Sequence, residues 1–378
     1  MSKIENIYNE LTQAVEHPKA TVLRYAQQTD RKIVGCAPYY TPYEMVHAAD
    51  LYPVEIYGGD IEITNAYKYY PTFYCSVLLS LMESALAGRY DFMEAVIIPV
   101  LCDGLRNLEE NWKYGVPSVP VIPMAHPNNR KLAVAEQYYT TDLHVVRKRL
   151  EEISGVEVTD KKMRESLKIY NKQKQLMREL SDLATRHLDV VTPLFRYTVF
   201  KASRVLPVEA HIALVEDLIE ELKKLPEHDF KGVKVVSTGI LIDSVDLLKT
   251  LEDHDIAIVA DMVVAESLRF STDAPDSPDP FVSLARVWTN LEGCCFAFDT
   301  KKLRAPMMVD LAKKYNADGF LVDILKFCEE EEFDYPILKR YFEKAGYPLL
   351  HIETEQQEHM NEQATTRIQA FKEMIDLA

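Results

Sequence analysis

Apolar residues along this chain fall into three regimes. Up to residue 131, short apolar runs closed by polar or glycine residues alternate with stretches at helical spacing; from about 132 to 222 the helical period dominates; from 231 the alternation returns. The first stretch, Ile4 to about Gln27, carries Ile7, Leu11 and Val15 at helical spacing and predicts a helix. Lys32 to Glu44 reads as strand, turn and helix start, with Thr41 as N-cap, Pro42 at the first helical position and Glu44 completing a capping box. A strand over Tyr52–Tyr57 is closed by Gly58-Gly59, and an apolar helix runs from Ser76 to Gly88 just after Cys75. The run Ala95–Leu101 has the length of a buried strand and ends in Cys102-Asp103-Gly104; a strand over Val119–Met124 follows.

In the middle regime Met163, Leu167 and Tyr170, then Leu176, Leu180 and Leu183, mark one apolar face. The third regime predicts strands over Val233–Thr238 and Ile256–Ala260, the latter ending in Asp261. Gly319 to Cys328 reads as a third strand, closed by Cys328-Glu329-Glu330, and Leu349–Ile352 as a fourth. Helices are predicted over Val245–Leu251, Leu303–Tyr315 and Tyr335–Lys344, with a terminal one carrying Ile368, Phe371 and Ile375. Strands alternating with helices imply parallel sheets. The expected fold is α/β: two doubly wound parallel-sheet (Rossmann/flavodoxin-like) domains joined by a helical layer. The expected segments are 1–131 with Cys75 and Cys102, 132–229 mainly helical, and 230–378 with Cys328.

Length alone, 378 residues, favours more than one core. A net charge of −16 argues against a nucleic-acid or anionic-membrane surface, which needs clustered Lys and Arg. The N-terminal residues lack the apolar core of a signal peptide, and no run reaches the length of a membrane span, so a cytoplasmic protein is expected. Six cysteines without a CxxC pair fit neither a disulfide scaffold nor a zinc ribbon. No GxxxxGK[ST] and no GxGxxG occurs, which speaks against ATP binding and against a nicotinamide dehydrogenase.

Cys75, Cys102 and Cys328 each stand where one element ends and another begins. Unpaired N–H groups at a helix start favour a thiolate, the form that binds soft metals. Three such thiols are an incomplete ligand set for a [4Fe–4S] cluster, which normally takes four, and leave one iron open. An open iron can act as a Lewis acid. The competing reading is that free cysteines are small buried hydrophobes. Cys36, after Ile33-Val34, reads as core. So do Cys294-Cys295, whose side chains would point to opposite faces of a strand.

Seven colinear segments carry a family resemblance: VGCAPYYTPYEMVHAADLYPVEIYGG from Val34, FYCSVLLSLMES from Phe73, IIPVLCDGL from Ile97, AHPNNRKL from Ala125, STGILIDS from Ser237, IVADMVVAESLRFSTDAP from Ile258 and KFCEEEEFDYP from Lys326. The chain resembles the beta subunit of the 2-hydroxyacyl-CoA dehydratases, in the superfamily that includes benzoyl-CoA reductase. That resemblance implies a [4Fe–4S] cluster held by Cys75, Cys102 and Cys328. It implies removal of water from an (R)-2-hydroxyacyl-CoA to give an (E)-2-enoyl-CoA through a ketyl radical. It also implies an alpha-subunit partner that holds most of the substrate site, and a transient ATP-dependent iron–sulfur activator. Two alternatives stay open: a benzoyl-CoA-reductase-type subunit, and a non-catalytic electron-transfer or docking subunit. The chain departs from the family pattern at Ala48-Ala49-Asp50, where Ala-Ala-Gly is usual. It departs again at Cys328-Glu-Glu-Glu-Glu332, where Cys-Asp-Pro-Glu-Glu is usual; the added charge there would lower a cluster's potential.

Other residues carry weaker signals. The loop His126 to Lys131, with Arg130, offers positive charge to a CoA phosphate or a partner, or is a solvated loop. Glu44 is a proton acceptor or, preferably, a capping residue. Asp103 and Glu329 adjoin the thiols and are solvated groups, second-layer partners or a fourth ligand. Glu266-Ser267 and Arg269 lie in a matching segment without an assigned mechanism.

Overall fold

A computed structural model describes residues 2–357 and 362–377; positions 1, 358–361 and 378, which fall within the first and third expected segments, lie outside the described residues. The N-terminal stretch forms two helices rather than one, α1 (Lys3–Glu16) and α2 (Pro18–Thr29). Pro18 is the cause: it cannot donate to the preceding turn and instead opens a new helix.

The first sheet contains β1 (Ile33–Cys36), β2 (Tyr52–Glu55), β3 (Ala95–Val100) and β4 (Val121–Ala125). All pairs are parallel, in the order β2-β1-β3-β4. Between them run α3 (Tyr43–Ala48), α4 (Ser76–Leu86) and α5 (Asp103–Gly115). Every residue of β1 and five of the six in β3 are buried, as expected of strands covered on both faces. The middle regime supplies α6 (Ala135–Ser154), α7 (Asp160–Ala184), α8 (Pro193–Ala202) and α9 (Val208–Leu222).

The second half runs β5 (Val233–Gly239), α10 (Val245–Asp253), β6 (Ile256–Val263), α11 (Pro280–Asn290) and α12 (Arg304–Tyr315). It continues with β7 (Gly319–Leu325), α13 (Glu329–Ala345), β8 (Leu349–Thr354) and α14 (Glu362–Asp376). Its sheet is also parallel, ordered β6-β5-β7-β8. Both halves therefore place their first strand beside their second and third, although no repeat is visible in the sequence.

Several expectations need correction. The strand before Cys328 stops at Leu325, and Cys328 caps a helix. That helix begins six residues ahead of Tyr335, with Pro336 inside it. A proline usually marks a first turn, which is why Tyr335-Pro336 reads locally as a start. β6 continues through Asp261 to Val263. Helix α11 had no counterpart in the sequence reading, although Asp279-Pro280 is a legible N-cap and first position.

One hydrophobic cluster runs through both sheets and their covering helices. A second, smaller one joins α1, α7, α8 and α9 around Leu11, Leu180, Phe195 and Leu218. Buried ion pairs cross between these layers. Glu55, at the end of β2, accepts from Arg269 of the second half at 2.5 Å and from the Tyr43 hydroxyl at 2.6 Å. Arg196, on α8, is paired with both Asp261 and Glu266. Among the described residues, no helix is long and apolar enough to cross a membrane.

Candidate functional site

Four strand ends open on one cavity of about 450 Å³. Pro38 and Tyr39 come from the loop after β1, Cys102 from the end of β3, Ile240 from the end of β5, and Phe327 and Cys328 from the end of β7. β1/β3 and β5/β7 are the central neighbours of the two sheets, the places where strand order reverses and open α/β sheets bind ligands. Cys75 completes the lining from the start of α4. The three thiols predicted from element ends thus share one wall-to-wall space.

Each thiol belongs to an N-cap residue: Cys75 caps α4, Cys102 caps α5 and Cys328 caps α13. Cys102 Sγ accepts the Leu105 N–H at 3.4 Å. The N–H groups of Val77 and Leu78 favour the Cys75 thiolate, and that of Glu331 favours the Cys328 thiolate. Gly104 lets the first turn of α5 come down on α4, because a Cβ there would collide with Leu78 Cδ1. Among the described residues, the buried Tyr39 hydroxyl has no hydrogen-bond partner.

Burial outweighs the helix starts. It pushes the Cys75 thiol up to about 11 and the Cys102 thiol up to about 12, with the Glu330 carboxylate adding to both. Cys328 is raised further, by burial first and then by Glu331. The helix-start N–H groups do favour the thiolates, as expected, but desolvating a charge costs more than a few N–H dipoles return. Positive charge from bound iron would reverse that balance, since metal binding displaces the thiol protons. Among the described residues no three His, Cys, Asp or Glu side chains close into a shell for a single metal ion. The thiolates of a [4Fe–4S] cluster bind different irons, so its ligands stand around a larger core.

The other predicted residues fall elsewhere. Cys36 is fully buried in the core, as expected. Cys294 is buried and Cys295 half-buried, but neither lies in a strand. The two thiols touch each other, and the Tyr40 hydroxyl donates to Cys294 Sγ at 3.1 Å, so the opposite-faces argument does not hold. Glu44 caps nothing: Pro42 is the N-cap, Thr41 bonds back to the Ala37 carbonyl, and the buried Glu44 carboxylate accepts from Lys174 Nζ at 3.0 Å. Arg130 is not open to a phosphate. Its guanidinium is buried against the Leu291 and Phe298 carbonyls and Glu292, and Lys131 pairs with Glu292 as well. His126 is buried beside the Tyr139 hydroxyl. Glu266 and Arg269 belong to the ion pairs between layers. Asp103 and Glu329 line the cavity mouth and are exposed.

Tyr39 and Glu330 are among the cavity residues to which the sequence reading assigned no role. Glu330 Oε2 lies 3.8 Å from Cys328 Sγ. Its place in the first turn of a helix capped by Cys328 was the available signal, hidden by the misplaced start of α13.

Two parallel sheets whose strand ends open on one thiol-lined cleft define a two-half α/β protein. The chain belongs to the family of the 2-hydroxyglutaryl-CoA dehydratase D-component, whose model matches residues 38–375. It is 37% identical to the (R)-phenyllactyl-CoA dehydratase beta subunit of Clostridium sporogenes and 38% identical to the lactoyl-CoA dehydratase subunit beta of Anaerotignum propionicum. Each alignment covers 99% of this chain and 100% of the relative. The (R)-2-hydroxyglutaryl-CoA dehydratase subunit beta of Acidaminococcus fermentans is 32% identical over 98% of this chain and 100% of its own length.

Proposed function

We propose that this chain is the beta subunit of an oxygen-sensitive (R)-2-hydroxyacyl-CoA dehydratase, and that Cys75, Cys102 and Cys328 hold one [4Fe–4S] cluster. The single observation that carries this reading is that three N-cap thiols, drawn from both halves, line one cavity. The donor set fits the group: three soft ligands, N–H groups aimed at the sulfurs, and a buried Tyr39 hydroxyl left without a partner among the described residues. When bound, the cluster supplies one-electron transfer for a syn-elimination of water by the ketyl-radical route. The chain's own residues position and shield it. Helix starts orient the sulfurs, and Tyr39, Tyr74 and Phe296 wall the cavity.

The partners in this reading are an alpha subunit that carries most of the acyl-CoA site and a transient ATP-dependent iron–sulfur activator. Phe73, 63% exposed, and Phe327, 47% exposed, stand on the cavity rim and give the alpha subunit apolar surface to cover. The test is anaerobic co-production with the alpha subunit, followed by iron and sulfide analysis. About four of each per beta chain, together with activator-dependent dehydration of a 2-hydroxyacyl-CoA, is expected. Background iron on this chain would sink the proposal.

A further inference from the structure

The first turn of α13 carries four glutamates, and three have evident places. Glu329 is exposed at the cavity mouth. Glu331 is buried, 3.8 Å from Arg304, and accepts the Leu325 N–H at 3.3 Å. Glu332 accepts the Phe327 N–H at 3.2 Å. Glu330 does none of this. It is half-buried and lines the thiol cavity, with Oε2 3.8 Å from Cys328 Sγ. It also lines a neighbouring cavity of about 540 Å³, beside Cys295 and Arg304, and so stands as the partition between the two spaces. Arg304 is engaged by Glu331 and Asp334, and among the described residues Glu330 has no basic partner. The carboxylate therefore stands half-desolvated on the wall it shares with Cys75, Cys102 and Cys328, in contact with the Cys328 thiol and with nothing cationic beside it among the described residues, an arrangement that costs free energy unless a positive centre occupies the cavity.

Resting on the cluster reading above, we infer that the Glu330 carboxylate is the fourth protein ligand, bound to the iron that Cys75, Cys102 and Cys328 leave without a thiolate. One iron–oxygen bond forms and one solvent molecule leaves; no electron is exchanged. The consequence is a cluster closed to outside ligands, suited to passing electrons and not to binding substrate. An added anionic ligand also lowers its reduction potential.

The test uses the full heterodimer, produced anaerobically with iron-57, as the unaltered protein and as E330A, E330Q and E330D. Iron content, Mössbauer spectra and the paramagnetic resonance of the reduced state are read with and without cyanide. Subtracting variant from unaltered spectra removes the contribution of the partner. With full iron, E330A is expected to change one iron site of the four on this chain, to raise its potential and to let cyanide alter its resonance, while E330D stays near the unaltered protein. Iron loss from E330A with unchanged circular dichroism, and retention in E330D, supports the same conclusion. If E330A does not fold, E330Q, which keeps the size of the side chain, decides by the same spectra. Superimposable spectra in fully loaded unaltered protein and variants, equally sensitive to cyanide, overturn the inference while leaving the three-thiol cluster standing. Absence of iron from this chain in the unaltered heterodimer overturns both.

Discussion

The two α/β halves share a strand order and diverge at one helix start. In each, the third strand ends just before a cysteine that caps the next helix: Cys102 after β3 and Cys328 after β7. The helix leading into that third strand differs. In the first half it is α4, capped by Cys75; in the second it is α12, which opens with Leu303 and Arg304. The Arg304 guanidinium is buried and donates to the Thr238 hydroxyl at the end of β5, at 2.5 Å from Nη2. A strict repeat would have faced four thiols across the cleft. This chain has three thiols on the cavity, and at the matching N-cap of α12 it has Leu303. In the proposed cluster, this difference between the halves would leave one iron without a thiolate.

The strongest way to break the comparison is to remove thiols one at a time. Cys75→Ala, Cys102→Ala and Cys328→Ala should each reduce bound iron to near background after anaerobic purification, whichever half the thiol comes from. Cys36→Ala, in the core of the first sheet, should keep its iron. Full iron in Cys328→Ala would show that the Cys328 thiol is not a ligand.

Next in size is the join between the halves. Arg269→Ala takes from Glu55 its 2.5 Å partner and leaves it the more distant Arg204, 3.6 Å away, which should cost about 3 kcal/mol of unfolding free energy, the low end for breaking a buried pair. A denaturant titration measures it, and a loss near zero would mean that this ion pair does not hold the halves together.

Close backbone approach gives a smaller, graded contrast. A Cβ at Gly239, in the second half, would stand 2.5 Å from the Asp323 carbonyl oxygen, which is backbone and cannot step aside. At Gly104, in the first half, it would meet only the flexible end of Leu78. Gly239→Ala should therefore cost about 1–3 kcal/mol, and Gly104→Ala less. The reverse order in thermal melts would contradict this packing.

An effect absent at neutral pH concerns acid. Burial pushes His126, beside the first sheet, down to about 3 and His211, on α9, down to about 4, from an ordinary value of 6.5. The folded chain keeps both neutral, while the unfolded chain takes up a proton on each below that value. Stability is therefore unaffected above pH 6.5 and falls as pH drops, by about 1.4 kcal/mol per pH unit for each histidine until its folded value is reached. His126→Gln should flatten the slope by one proton, and unfolding free energies between pH 7 and 4.5 would show whether it does.

Much of the site was legible locally because its thiols occupy element ends. An apolar run stopping at Cys102-Asp103-Gly104, or an apolar helix opening after Cys75, announces itself within ten residues. Glu44 was misread because its partner, Lys174, lies 130 residues away, and a capping box was the only local account of it. Arg130 looked like a free charge for the same reason: the carbonyls and the carboxylate that bury it come from the loop after α11. Glu330 was passed over for Glu329 because, without the true start of α13, nothing distinguished the glutamate facing the thiols from the one facing water.

By itself the sequence determined the kinds of elements, the two parallel sheets with helices between them, and the placing of three cysteines at strand-to-helix junctions. Side-chain period and N-cap chemistry are properties of neighbouring residues, so they survive being read one segment at a time. Only the tertiary structure decided that these junctions face a common cavity, which carboxylate enters it, and which arginines are buried as clamps. Those outcomes depend on how two separately formed sheets are docked through the helical layer. Groups far apart in the chain are then desolvated together, and their pairing is set by that burial, not by their immediate sequence.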